Sequence, residues 1–269
     1  MKLELQRPRQ CPNYNLAVCV LASGSKGNAI YISDGFTSIL VDAGFSAIEI
    51  KRRLKSRGLN PKEINAILVT HEHSDHIQAV GVLSRQLLLP VYVNRKIKHI
   101  ASLANTVHEI RTFTSGLPFQ IDNLVVHPFA VSHDAADPVG FTIGQNGKRI
   151  GLATDLGTVT PPVMENLKDC HLLIVEANHD PDMLANGPYP WTLKQRIQSR
   201  SGHLSNKQSK NLLRELQHGR LQHVILAHLS EINNAPRKVL DEVSKAFTRC
   251  TPRLTVASQH RCGEILYLK

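Results

Sequence analysis

The sequence predicts an α/β fold, a single domain over residues 1–269, and three observations carry that prediction. Apolar runs of strand length recur along the chain, divided by turn residues. Stretches with helical spacing fall between them. Histidines and aspartates stand where several apolar runs stop, as they would if a packed sheet gathered its polar groups at one edge.

LAVCVLA (16–22), NAIYIS (28–33) and TSILVDAG (37–44) read as strands, separated by the turn-forming SGSKGN and DG. A helix is expected from Ser46 to Arg57, with Ile48, Ile50 and Leu54 against the core and Gly58 as its stop. INAILVTH (64–71) is a buried strand, followed by the strand-like VYVN (91–94) and LVVHPFAVSHD (124–134). FTIGQNGKRIGLATD (141–155) carries an Asn-Gly hairpin turn. PPVMENLKDC (161–170) is a short helix with proline at its start, and HLLIVEANHD (171–180) another strand. After a loop rich in Pro and Gly, a helix is expected from about Asn206 to Gln217, with Ser205 and Gln208 at capping-box spacing. The strand LQHVILAHLS (221–230), the helix PRKVLDEVSKAF (236–247) and the closing strands LTVASQ (254–259) and EILYLK (264–269) complete the chain.

Composition narrows the function classes. Hydrophobic residues at 42% and charged residues at 20% are ordinary for a globular protein. The net charge of +10 favours polyanionic partners, nucleic acid or anionic lipid, without choosing between them. Cys11, Cys19, Cys170, Cys250 and Cys262 are odd in number and contain no CxxC pair. That argues against a disulfide framework and a zinc ribbon, and for a reducing compartment. Lys2, Arg7 and Arg9 precede LAVCVLA, but this run continues straight into SGSKGN and suits a first strand better than a leader. No apolar stretch approaches the roughly 18–20 residues of a membrane span. The expectation is a cytoplasmic protein with no membrane partner.

VTHEHSDH (69–76) sets His71, His73, Asp75 and His76 in an H-x-H-x-D-H pattern directly after a strand. Imidazole and carboxylate groups suit zinc, manganese or iron, and this spacing lets one loop face two metal centres. The alternative is a hydrated surface loop. Four ligands do not complete two centres, so others must come from strand ends elsewhere. His133, Asp155 and His228 each follow a strand-like run and are the candidates.

With SGSKGN, VDAG, VTHEHSDH, SHDAADPVG, ATDLG, EANHD, YPWTLKQRI, SGHLSN and AHLSEINN in order, the chain resembles the metallo-β-lactamase fold, and within it the YycJ or WalJ group of nuclease-like proteins. The resemblance implies an αββα four-layer sandwich, with metals at one edge between two β-sheets. It implies two divalent ions, zinc or manganese. His71, His73 and His133 would hold one, Asp75, His76 and His228 the other, and Asp155 would bridge them. It further implies phosphodiester hydrolysis by a metal-bridging hydroxide, on nucleic acid and specifically DNA, with 5′–3′ exonuclease action. Redox relatives carry a carboxylate at the second motif histidine, whereas His73 is present here, which favours hydrolysis.

Other residues have candidate roles, some from the resemblance and some from the residues themselves. Asp42 either supports the ligands by hydrogen bonds or caps a turn at Gly44. Asp75 orients the nucleophile as well as ligating. His203 resembles the histidine that lies by the scissile phosphate in tRNase Z-type relatives; its role is catalytic or structural. Glu176 and His179 either support it or make ordinary core hydrogen bonds. Lys26, Lys194, Arg196 and Arg200 are candidate nucleic-acid contacts. Lys26 also suits a plain turn, Tyr189 and Trp191 are candidates to stack on a base, and core packing is the other role open to the Trp. Lys51, Arg52, Arg53, Lys55 and Arg57 read as a solvated helix face. The rival activity is a small-molecule hydrolase on the same fold, acting on a thioester, lactone or cyclic nucleotide. A metal-stabilised interaction module without chemistry is the rival outside enzymes.

Overall fold

The run LAVCVLA is apolar throughout rather than alternating because β1 (Leu16–Ala22) is covered on both faces and every residue of it is buried. The computed structural model describes residues 14–97, 99 and 106–269; Cys11, Lys2, Arg7 and Arg9 lie outside them. Among the described residues the strands form two seven-stranded sheets. The first orders β14 (Leu266–Leu268), β1, β2 (Ala29–Ser33), β3 (Ser38–Val41), β4 (Ala66–Leu68), β5 (Pro90–Asn94) and β6 (Glu109–Phe113). The second orders β13 (Arg253–Val256), β12 (His223–Ala227), β11 (Leu172–Glu176), β10 (Lys148–Ala153), β9 (Val139–Gln145), β8 (Leu124–Ala130) and β7 (Phe119–Ile121). Each sheet has an antiparallel half and a parallel half. Pairing is antiparallel from β14 to β3 and from β7 to β10, then parallel from β3 to β6 and from β10 to β13.

Side-chain alternation sorts the residues into layers. Leu16, Val18 and Val20 of β1 meet Leu124, Val126, Phe141 and Ile174 of the other sheet in a shared core. Cys19 and Leu21 point the other way, into a cluster with Ile50, Leu54 and Leu83. Leu173, Val175, Val224 and Leu226 pack likewise against Leu212, Leu213, Val239 and Val243. Helices outside, sheets inside: this is the αββα sandwich. No helix among the described residues is long and apolar enough to cross a membrane.

Several expectations are corrected. Ile48 is 81% exposed, because the helix Ala47–Ser56 buries the i, i+3, i+7 face of Ala47, Ile50 and Leu54. Arg53, read as solvated, is buried on that face. It pairs with Glu49 at 2.6 Å, donates to the carbonyls of Leu21 and Gln259, and lies over the Phe45 ring. The Pro- and Gly-rich loop contains two helices, Pro181–Asn186 and Trp191–Gln198. The helix Val80–Leu87 and the strands β6 and β7 were not anticipated. The capping box at Ser205 and Gln208 forms as the spacing predicts.

Phe141 lies fully buried between the sheets, edge-on to Phe113. Phe141→Ala is expected to lose about 3–5 kcal/mol through lost burial and the remaining cavity. Urea titration checks this: the midpoint should fall while the slope stays constant.

Candidate metal centre

The site forms where parallel strands end, the edge at which α/β sheets bind ligands. Asp42 follows β3, Asp155 lies just beyond β10, Glu176 ends β11 and His228 follows β12. Asp42, Asp155 and His228 all adopt left-handed backbone, with φ of 61°, 55° and 54°. Such geometry is strained for residues other than glycine and persists where surrounding bonds over-determine it. Those bonds are present. The N–H of His228 donates to Ser23 Oγ at 2.8 Å, and its carbonyl accepts from Asn178 at 2.9 Å. SGSKGN, VDAG and the motif loop are tied together: Asn28 N donates to the Asp75 carbonyl and Gly44 N to the Asn28 carbonyl. A Cβ at Gly44 would fall 1.6 Å from the Asp75 carbonyl oxygen, so only glycine fits there.

All seven candidate ligands converge. His71, His73 and His133 form one group, and Asp75, His76 and His228 another, with ligand atoms in each group within 4.8 Å of one another. His71 Nε2 and His73 Nδ1 face each other at 3.1 Å. Asp155 lies between the groups, its Oδ2 3.2 Å from His76 Nε2 and its Oδ1 3.3 Å from His228 Nε2 and 3.8 Å from His133 Nε2. Asp155 Oδ2 and His228 Nε2 are buried without a hydrogen-bond partner among the described residues. Buried polar atoms seldom lack partners, and this oxygen and this imidazole nitrogen are the donor types divalent metals take. The residues fit a divalent metal.

The outer nitrogens of the rings are held from behind. Asp42 accepts from Thr70 N and Thr70 Oγ1, both at 2.8 Å, and pairs with His76 Nδ1 at 2.7 Å. Asp42 therefore holds His76, a candidate ligand, and the N–H of Gly44 goes to the Asn28 carbonyl. A proton on Nδ1 of His76 leaves Nε2 its lone pair. His133 Nδ1 donates to the Gly202 carbonyl at 3.2 Å. Glu176 carries the most. Its Oε1 lies 2.7 Å from His203 Nδ1 and 3.3 Å from His228 Nδ1, while Oε2 accepts from the N–H groups of Leu156 and Leu204. Glu176 sits behind the imidazoles, a positioning group.

Electrostatics follow from this crowding. Burial pushes Glu176 up, but His203 and His228 overcome it and hold the carboxyl at about 2. Burial likewise opposes the ionised Asp75, and the neighbouring His228 and His76 imidazoles keep it below the carboxylate range. His203, pushed down by burial, is raised by Glu176. His228, also opposed by burial, is raised to about 10, chiefly by Asp155.

Other sequence candidates fall into place unevenly. His179 is buried with Nδ1 unpartnered, and burial lowers it to about 4; it joins none of the ligand groups. Lys26 is paired with Glu231 at 2.6 Å, Lys194 donates to the Ala185 carbonyl, and Arg196 is paired with Asp134 at 2.6 Å. Arg200 is exposed. Trp191 is 68% exposed, so the core-packing role is excluded. A cavity of about 250 Å³ opens beside His203, lined by Ser25, Asn178, Tyr189, Leu193 and Arg196 among others. Sequence reasoning missed Asn28, whose Nδ2 lies 3.1 Å from His76 Nε2, together with Thr70 and Asp134. Each stands inside a motif or beside a ligand, where its polarity was the available signal.

Residues 37–228 match the family described as the beta-lactamase superfamily domain. The chain is 38% identical over 232 residues to an exodeoxyribonuclease YycJ of Bacillus anthracis, spanning 85% of this chain and 88% of that protein. It is 36% identical over 222 residues to an exodeoxyribonuclease WalJ of Streptococcus pneumoniae, covering 80% and 82%. The crystal structure of YhfI, a metallo-β-lactamase fold protein of Bacillus subtilis, superposes with a TM-score of 0.74 at 16% identity, covering 93% of this chain and 99% of that one.

Metal binding should release protons. The unloaded His228 keeps its proton up to about 10 and His76 is raised as well, chiefly by Asp155, whereas a metal takes the neutral ring. Affinity should therefore rise with pH through neutrality and level off only above the His228 value. Calorimetry of Mn²⁺ or Zn²⁺ binding in buffers of differing ionisation enthalpy measures the release; buffer-independent heats near pH 7 would contradict it.

Proposed function

The chain belongs to the beta-lactamase superfamily, and from that premise we propose that it is a nuclease using two divalent ions, zinc or manganese, to hydrolyse DNA from its 5′ end. His71, His73 and His133 would hold one ion and Asp75, His76 and His228 the other, with Asp155 reaching both. Bound there, the ions would supply Lewis acidity toward a phosphoryl oxygen and lower the pKa of a water. The protein's own groups do the rest.

One observation carries the choice of a phosphodiester. His203 is fixed through Nδ1 by a fully buried carboxylate, stacks 5.1 Å from the His228 ring, and forms part of the cavity wall at the centre. Its raised pKa favours the imidazolium, and Nε2 is left to give a proton to an oxygen leaving phosphorus. An alkoxide leaving group needs that proton, and a positioned acid contributes roughly 10²–10⁴-fold. A thioester or lactone has less need of it. Asp75, kept ionised by its histidines, orients the attacking water. The +10 charge suits a polyanion, and both curated relatives are named exodeoxyribonucleases. Arg196 lines the cavity, the exposed Trp191 begins the same helix, and the exposed Arg200 follows it.

The deciding assay follows a 5′-labelled single-stranded DNA oligonucleotide with added Mn²⁺, with Asp75→Ala beside the intact protein. Label should leave as short products only with the intact protein. If neither protein cuts while metal is bound, DNA is the wrong substrate, and RNA or a small ester replaces it.

Two variants separate the roles. Asp155→Ala should lose metal from both groups; unchanged metal content by elemental analysis would end the bridging assignment. His203→Ala should keep its metal and lose rate within the range given above on DNA, and lose much less on bis(p-nitrophenyl) phosphate, whose leaving group needs no proton. Equal losses on both substrates would remove the acid role.

A further inference from the structure

A second pair of reactive side chains lies on the other side of the first sheet, away from the metal centre. Cys19 of β1 and Cys262, 243 residues later, bring their sulfurs within 3.7 Å. We propose that Cys19 and Cys262 form a peroxide-oxidisable dithiol, in which Cys262 meets the oxidant and Cys19 resolves it to a disulfide.

Access assigns the two roles. Cys19 is fully buried, and its Sγ donates to the Gly263 carbonyl at 3.3 Å. Cys262 is half-buried and forms part of the wall of a cavity of about 360 Å³, shared with Arg57, Arg253 and Glu264. A small hydroperoxide therefore reaches Cys262 and not Cys19. Electrostatics agree with access. The Arg57 guanidinium bonds the Cys262 carbonyl, and the contact between the two sulfurs, with Arg57 beside it, holds the Cys262 thiol below its ordinary value while Cys19 is held above. A partly exposed thiolate among cations is the reactive kind.

The step balances. The Cys262 thiolate attacks one peroxide oxygen, the O–O bond breaks, and the other oxygen leaves as water or an alcohol, giving sulfenic acid. The Cys19 sulfur then attacks the Cys262 sulfur, the S–O bond breaks, and that oxygen leaves as water with the Cys19 proton. Two thiols and one hydroperoxide become one disulfide, one water and one water or alcohol. Bringing the sulfurs to the bonded separation of about 2.05 Å asks for a small shift, and residues 257–265 belong to no helix or strand. The bridge would fasten the chain leading into β14 onto β1. Cys170 is buried among apolar groups and Cys250 has no thiol partner among the described residues, so both serve as internal controls.

The test is peptide mass spectrometry on the reduced full chain after equimolar hydrogen peroxide and alkylation. A Cys19–Cys262 cross-linked peptide, reversed by dithiothreitol, is expected, with Cys170 and Cys250 still alkylated. In Cys19→Ser, dimedone should trap a sulfenic acid on Cys262; in Cys262→Ser, Cys19 should stay unoxidised. The proposal is overturned if the intact protein yields no such cross-link, if Cys250 oxidises as fast as Cys262, or if Cys19 takes dimedone in Cys262→Ser. The first of these measurements needs no variant, so a folding defect in either mutant leaves the decision intact.

Discussion

Asp155 places a carboxylate where the imidazoles of His76, His133 and His228 converge, and its Oδ2 is buried with no hydrogen-bond donor to meet it. A charge withdrawn from water is costly unless other charges or dipoles replace the solvent. The surrounding imidazoles offer such charge, and a cation would offer it to several lone pairs at once. The surrounding architecture serves this requirement. Three residues accept left-handed backbone at strand ends, and glycine is required at position 44 so that the VDAG turn can lie against Asp75. Local strain of about 1–3 kcal/mol per residue is tolerable where ligation and hydrogen bonds offset it.

Glu176 extends the same logic outward. A single buried carboxylate holds His203 and His228, and its second oxygen collects two backbone N–H groups. One side chain thereby sets the ring orientation of a proposed ligand and of the proposed acid together. Losing it would leave two imidazoles without their acceptor. In the proposed reading, metal affinity and acid strength would be coupled through this residue, since both rings bond to it.

Much of this was legible in the chain because its candidate ligands are local: H-x-H-x-D-H compresses four of them into six residues, and the others end apolar runs. The continuous rather than alternating apolarity of the strands was evidence of burial on both faces. What the pattern did not carry was partition. Ile50 and Ile48 look alike in composition, and only helix phase separates the buried one from the exposed one. Arg53 reads as one more surface cation, yet its guanidinium satisfies the carbonyls of Leu21 and Gln259, partners brought near by folding alone. Trp191 fails in the opposite direction, since hydrophobicity argues for the core and the helix Trp191–Gln198 leaves it in solvent. Asn28 and Thr70 stood inside recognised motifs, but a side-chain amide or hydroxyl has many uses, and sequence does not show which one tertiary contact selects.

The distribution of ligands between the sheets has a mechanical consequence. His71, His73, Asp75 and His76 follow β4 of the first sheet, while His133, Asp155 and His228 follow β8, β10 and β12 of the second. Neither sheet alone supplies a full set for either proposed ion, since the first group needs His133 and the second needs His228. Each ion would therefore clamp one sheet to the other, at the edge where the shared apolar core ends. Ligation stabilises whichever state binds, and here that state is the one with both sheets docked. Under the proposed ligation, binding energy and sheet packing would act on one interface, so the centre would help hold the sandwich closed as well as carry its chemistry.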